Sequence, residues 1–165
     1  MMRVEITKQK QKLFFIKSYQ YLWQLEEVIQ EICKNATPQL QLSVLGKLTQ
    51  DCISNNKESI KDEKKLKNYW KGSLGATSDF GLFCNPEIGT LFIVGDLTHQ
   101  FLHDMDGKPL GEMSSGSYGI LRGLGISENN ASMYIKDLNK DCFLLILRSY
   151  DFELDIMQEL IENFK

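Results

Sequence analysis

The chain has no C-x-x-C pair, no apolar run long enough to cross a bilayer and no strong charge of either sign. Cys33, Cys52, Cys84 and Cys142 stand far apart, three of them beside apolar or helical residues, which reads as reduced, cytosolic thiols. The longest uncharged apolar run, Ile88 to Gly95, falls far short of the ~20 residues a membrane helix needs. Met1 to Lys12 is polar and basic and lacks the apolar core of a secretory signal. A soluble, cytoplasmic protein is expected. The net charge of -3 selects no partner class, although the two ends differ in sign: residues 1–17 carry five basic and one acidic side chain, residues 127–165 four and eight. Basic and acidic residues offset one another without aromatic–basic interleaving, so no nucleic-acid partner is expected.

The motifs of common chemistries are missing too. Gln100 stands where an H-E-x-x-H zinc site would need its glutamate. Gly107-Lys108 lacks the upstream glycine and following hydroxyl residue of a phosphate loop, and Gly123-x-Gly125 has Glu128 where a dinucleotide fold would need a third glycine. Gly116-Ser117-Tyr118-Gly119 has the wrong spacing for a nucleophile elbow. A calcium loop built on Asp104-Met105-Asp106-Gly107 would put Leu102 at its first ligand position and Met113 at its last. The expectation is a non-catalytic protein without a cofactor.

What is present is one domain's worth of chain, 165 residues with 42% hydrophobic and 25% charged side chains, enough for a core without disulfide or metal support. Eleven of the twelve glycines lie between Gly72 and Gly125. Small residues recur there every four positions, at Gly107, Gly111, Ser115, Gly119 and Gly123. On a helix these would share one face and admit a close neighbour, and the cost of roughly 1 kcal/mol per helical glycine argues for a purpose.

Around this stretch the periodicity is regular. Strands are expected near residues 12–17, 40–46 and 142–148. A helix over 19–34, capped by Ser18, carries the stripe Leu22, Leu25, Val28, Ile29 and Ile32; further helices are expected over 128–140, capped by Ser127, and 152–164. The chain thus divides into a β-α-β half (1–48), a lysine-rich connector that is helical or loose (49–71), a glycine-rich helical insertion of three short pieces (72–125) and an α-β-α half (126–165). The fold class is α/β, or α+β, with a three-stranded sheet. Asn85-Pro86 and Asp106-Gly107-Lys108-Pro109 mark turns.

Two groups of polar residues are candidate sites. His99 and His103, four apart with Asp96 one turn earlier, have the spacing to place two imidazoles and a carboxylate on one transition metal, with Cys84 or water completing the shell; solvated surface histidines are the alternative. Arg122 lies in an otherwise uncharged segment, Ser114 to Ile126. It reads as an anion contact, with Asp96 as a second ligand-binding residue, or as one half of an ion pair with Asp79, Asp96 or Glu112.

Leu124-Gly125-Ile126-Ser127-Glu128, then Ala131, Tyr134 and Leu138 leading into Phe143 to Leu147, resembles the C-terminal half of the YflT-type general stress protein domain. Asn85-Pro86-Glu87-Ile88-Gly89 with Val94-Gly95, and Leu42-Ser43-Val44-Leu45-Gly46, are similar to that family's turn and second strand. The resemblance implies a small bacterial stress-response module with no established catalytic residues. Self-association across an unpaired sheet edge or through the glycine stripe, or binding of a protein partner, is the expected function. The alternatives are a metal- or small-ligand-binding protein using His99 and His103, and a peripheral membrane or helix-binding module in which Leu91 to Val94 and the glycines meet a bilayer or a helix.

Overall fold

The computed structural model describes residues 12–48, 57–75 and 78–163. Cys52, and with it the basic residues Arg3, Lys8 and Lys10, lies outside them. Five antiparallel strands form the main sheet: β1 (Lys12–Tyr19), β2 (Gln41–Lys47), β3 (Phe80–Asn85), β4 (Gly89–Gly95) and, after the two-residue strands β5 (Asp104–Met105) and β6 (Lys108–Pro109), β7 (Phe143–Tyr150). Their spatial order is β1-β7-β2-β4-β3. Because β1 and β2 both pair antiparallel with β7, they run parallel to each other. The expected β-α-β unit is therefore split by the last strand.

The centre of the sheet explains the least punctuated stretch of sequence. Leu144 to Leu147 are all buried, and alternation sends Leu145 and Leu147 to a first face and Leu144 and Ile146 to the second. A strand covered on both faces needs no polar alternation. Helices α1 (Leu22–Asn35), α2 (Lys57–Leu74) and α6 (Asp151–Asn163) cover the first face. The second is covered by α3 (Thr98–Leu102), a 3-10 turn (Leu110–Glu112), α4 (Gly116–Gly123) and α5 (Glu128–Asn139). The class is α+β, as expected.

Five strands replace the expected three. The hairpin β3–β4 comes from the region read as helical, and the reason is the same as for β7. Leu91 to Val94 are wholly buried between two helical layers, so their uninterrupted apolar run carries no strand period. Asn85 fixes the turn: its Oδ1 accepts from the amides of Glu87 (2.9 Å) and Ile88 (3.2 Å), and its Nδ2 donates to the Gly111 carbonyl at 2.9 Å. The outer edge of β3 is partly sealed, since the Cys84 amide donates to the Glu112 carboxylate at 3.0 Å.

The glycine stripe does not form a face. Gly107 sits in the β5–β6 turn, where Asp106 and Gly107 both have positive φ, 55° and 89°. Gly111 is in the 3-10 turn, Ser115 precedes α4 with φ 61°, and only Gly119 and Gly123 share a helix. A Cβ at Gly107, Gly119 or Gly123 would meet nothing within 4 Å, whereas at Gly111 it would reach the Phe83 ring at 2.7 Å. Close approach at the four glycines of the stripe is thus confined to Gly111. Its neighbour outside the stripe, Gly116, is the more constrained, with the Leu110 carbonyl 2.0 Å from where a Cβ would stand. The turn at Asp106–Gly107 breaks the chain direction, so only the last step of the four-residue recurrence, Gly119 to Gly123, is helical.

Ser18 is not the cap of α1. It lies in β1 and donates to Asp137 at 2.7 Å, while α1 starts after Tyr21 with no side-chain cap. Ser127 does cap α5, its Oγ accepting from the Asn130 amide at 3.2 Å.

One buried carboxylate ties the first face together. Glu153, 2% exposed, accepts from the Thr37 amide (2.7 Å), the Thr37 hydroxyl (2.8 Å) and the Ser149 hydroxyl. Burial by itself would raise its pKa. The hydrogen bonds from Ser149 and Thr37, with Lys12 nearby, prevail and hold it below the ordinary value. The α1–β2 loop is thereby pinned to the start of α6.

Candidate functional site

The polar residues singled out from the sequence do not converge. His99 is 82% exposed and pairs with Asp79 at 2.8 Å. His103 ends α3 and is exposed; its carbonyl, not its ring, is engaged, accepting from the Leu110 amide at 2.7 Å. Asp96 lies in the β4–α3 turn, where its Oδ2 accepts from the Leu42 amide at 3.2 Å. Among the described residues no three His, Cys, Asp or Glu side chains gather as a metal site. Cys84, considered as a further ligand and read as a reduced thiol, is disulfide-bonded, while Cys33 and Cys142 are free.

Arg122 makes none of the ion pairs expected of it. It is exposed and its Nη1 donates to the Ile126 carbonyl at 2.8 Å, closing the loop after α4. The three acids it was matched with are engaged elsewhere: Asp79 on His99, Asp96 on the Leu42 amide and Glu112 on the Cys84 amide. An exposed guanidinium needs no carboxylate, which removes the premise of burial.

An apolar concavity lies on the first face, a groove of about 410 Å³ where the start of α1 meets α2, the end of β2, the middle of β4 and the start of β7. Its floor is aromatic. Trp70 stacks on Phe92 with centroids 5.4 Å apart, Phe92 meets Phe143 at 6.3 Å, and Tyr69 stands edge-on to Trp70 at 5.1 Å. These rings can meet because position 46 is glycine: a Cβ there would lie 2.6 Å from Phe92 and 2.8 Å from Phe143. Leu22, Leu48 and Leu66 form the walls.

The rim is basic. Lys47 and Lys65 line the groove, and neither makes an ion pair among the described residues. Tyr69 donates its hydroxyl to Glu26, clamping α2 to α1 beside the opening. That contact, together with burial, raises the Tyr69 pKa, burial being the larger cause, so the phenol stays a neutral donor. Tyr21 and Trp23, about half exposed at 51% and 56%, stack on each other at the same end of α1.

Sequence reasoning passed over this groove although two of its signals were legible. Tyr69 and Trp70 are the aromatic residues of the lysine-rich connector, and Leu22 belonged to the apolar stripe of α1. The meeting of those helices with Gly46 and Phe143 is a tertiary fact that no local pattern encodes. Compared with known protein families, curated proteins and solved structures, the chain matches none. No helix among the described residues is long and apolar enough to cross a membrane. Leu91 to Val94, expected to meet a bilayer or helix in one reading, are buried in the core.

Proposed function

We propose that this protein is a non-catalytic binding module whose groove between α1 and α2 receives an apolar segment of a partner protein flanked by acidic residues. The observation that carries the reading is the pairing of an open, aromatic-floored groove with two lysines at its rim that make no ion pair among the described residues. A groove of this kind suits one or two large apolar side chains. Rim lysines favour an acidic flank through steering and register rather than raw affinity. Exposed Trp23 and Tyr21 extend the surface with the residue types that protein interfaces enrich. The stress-response setting rests on the sequence resemblance that includes Leu124 to Glu128.

Titration with an amphipathic Leu- and Glu-rich peptide, and with the same peptide carrying Lys in place of Glu, tests this. The acidic peptide is expected to perturb the amide resonances of Leu48, Leu66 and Tyr69 saturably, and the basic one to leave them unmoved. Equal response to both peptides, or response to neither, would overturn the reading. Binding only to anionic vesicles would replace the partner protein with a membrane.

A second copy of the chain is the alternative partner. Among the described residues β1 pairs only with β7, so it has a free edge available for strand pairing. A sedimentation profile that stays monomeric up to high concentration would remove that alternative.

A further inference from the structure

The opposite face of the sheet carries a second concavity, at the other end of β2. Arg148 is the charged residue of β7 and shares a face with Leu144 and Ile146 by strand alternation. Its guanidinium lies over the Phe14 ring, 5.4 Å from the centroid, and its Nη1 donates to Gln41 Oε1 at 3.1 Å. Its Nε–H is buried and has no acceptor. The guanidinium forms no ion pair among the described residues. The ring stabilises the cation, but with no carboxylate partner among the described residues the guanidinium keeps a charge that an anion from outside can pair with.

The space for that anion is present. A notch of about 40 Å³ beside Arg148 is lined by Gln41, Ser43, Asp96, Leu97 and Gln100. At 10–15 Å³ per water-sized group it holds roughly three such groups, enough for one carboxylate but not for a whole metabolite. Gln100 is exposed, so the notch opens to solvent on its side. Asp96 lines the same notch without pairing with Arg148. Its Oδ2 is occupied by the Leu42 amide, and its Oδ1 takes no hydrogen bond among the described residues. A lone anion would suit Arg148 and be repelled by Asp96. A ligand with a carboxylate and an N–H on the same carbon satisfies both.

We infer that this notch recognises an α-amino carboxylate, with the carboxylate on the Arg148 guanidinium and the adjacent N–H on Asp96. The group is carried either by a free amino acid or by the C-terminal residue of a peptide, the remainder of the ligand lying in solvent past Gln100. The recognition is planar and forked, which an arginine supplies and a lysine does not. It is independent of the groove, which lies on the other face of the sheet.

The Arg148 Nε–H resonance of the intact chain reads the site directly. Titration with glycine to about 100 mM, well above the millimolar affinity that charge-assisted contacts support, is expected to shift it saturably. Glycinamide, which lacks the carboxylate, is expected to leave it unmoved. Acetate is expected to bind about tenfold more weakly than glycine, and Asp96→Asn to reduce glycine to the acetate level. Arg148→Lys is expected to abolish the glycine-dependent shifts of neighbouring amides, with circular dichroism confirming the fold. N-acetylglycine binding as well as glycine assigns the site to peptide C-termini, and binding of glycine alone assigns it to free amino acids. Absence of a saturable shift with glycine and N-acetylglycine alike, or an equal shift with glycinamide, would overturn the proposal. Glycine binding no tighter than acetate would overturn the part given to Asp96.

Discussion

The two faces of one sheet place their cations differently. On the first face Lys47, half-buried, and Lys65, exposed, stand at the rim of an apolar groove, so in the proposed binding the apolar floor would carry affinity and the charges would select. On the second face Arg148 is drawn into the notch itself, its Nε–H sealed from solvent. Alternation along β2 separates the two surfaces: Val44 faces the first core and Leu45 the second. A change confined to one face should therefore leave the other's binding intact.

The largest effect is expected from Trp70→Ala. Trp70 is buried and stacks on Phe92 under the groove, and removing a buried aromatic costs about 3–5 kcal/mol. Chemical denaturation should show that loss, while glycine-dependent shifts at the notch persist under native conditions. A loss under about 1 kcal/mol would mean that the groove floor carries little of the core.

Next is Glu153→Gln, expected to cost about 1–3 kcal/mol at neutral pH by leaving the donors of Thr37 and Ser149 poorly matched. Glu153 has a folded pKa below its ordinary value of 4.5. Its contribution is thus fully present above that pH and is lost as pH falls from there through the lower folded value. The wild type should lose stability over that acidic window, and the variant should show a flatter profile. Identical pH profiles would contradict the assignment.

Gly46→Ala should cost about 1–3 kcal/mol by forcing Phe92 and Phe143 apart, and should weaken peptide binding in the groove without touching the notch. The smallest effect has the opposite sign. A Cβ at Gly119 or Gly123 meets nothing within 4 Å, so Gly119→Ala and Gly123→Ala should each stabilise α4 by about 0.5–1 kcal/mol in thermal or chemical melts. Destabilisation, or loss of an oligomer, would restore the close-packing role that the four-residue spacing suggested.

Periodic segments were legible in the sequence because each has one face to bury. The stripe Leu25, Val28, Ile29 and Ile32 defines α1, and Ser127 announces α5. The hairpin β3–β4 was not, because Leu91 to Val94 are covered on both sides and show no alternation. The glycines misled because Gly107, Gly111 and Gly119 act by different means, a positive φ, a ring contact and nothing at all. Asp96 was singled out with Arg122, but it lines a notch with Arg148. Arg122 drew attention as an isolated charge, whereas Arg148 lay inside an apolar strand whose partners, Phe14 and Gln41, are 134 and 107 residues away, and only pairing of β1 and β2 with β7 brings them together.

The central claim is that the lysine rim chooses what the groove accepts. Its most direct test is the double variant Lys47→Glu, Lys65→Glu, with affinities measured for the Glu-flanked and Lys-flanked peptides at low ionic strength. The account predicts a stability change within about 0.5 kcal/mol, as for exposed positions, and a reversal of preference from the acidic to the basic peptide. An unchanged preference would contradict it.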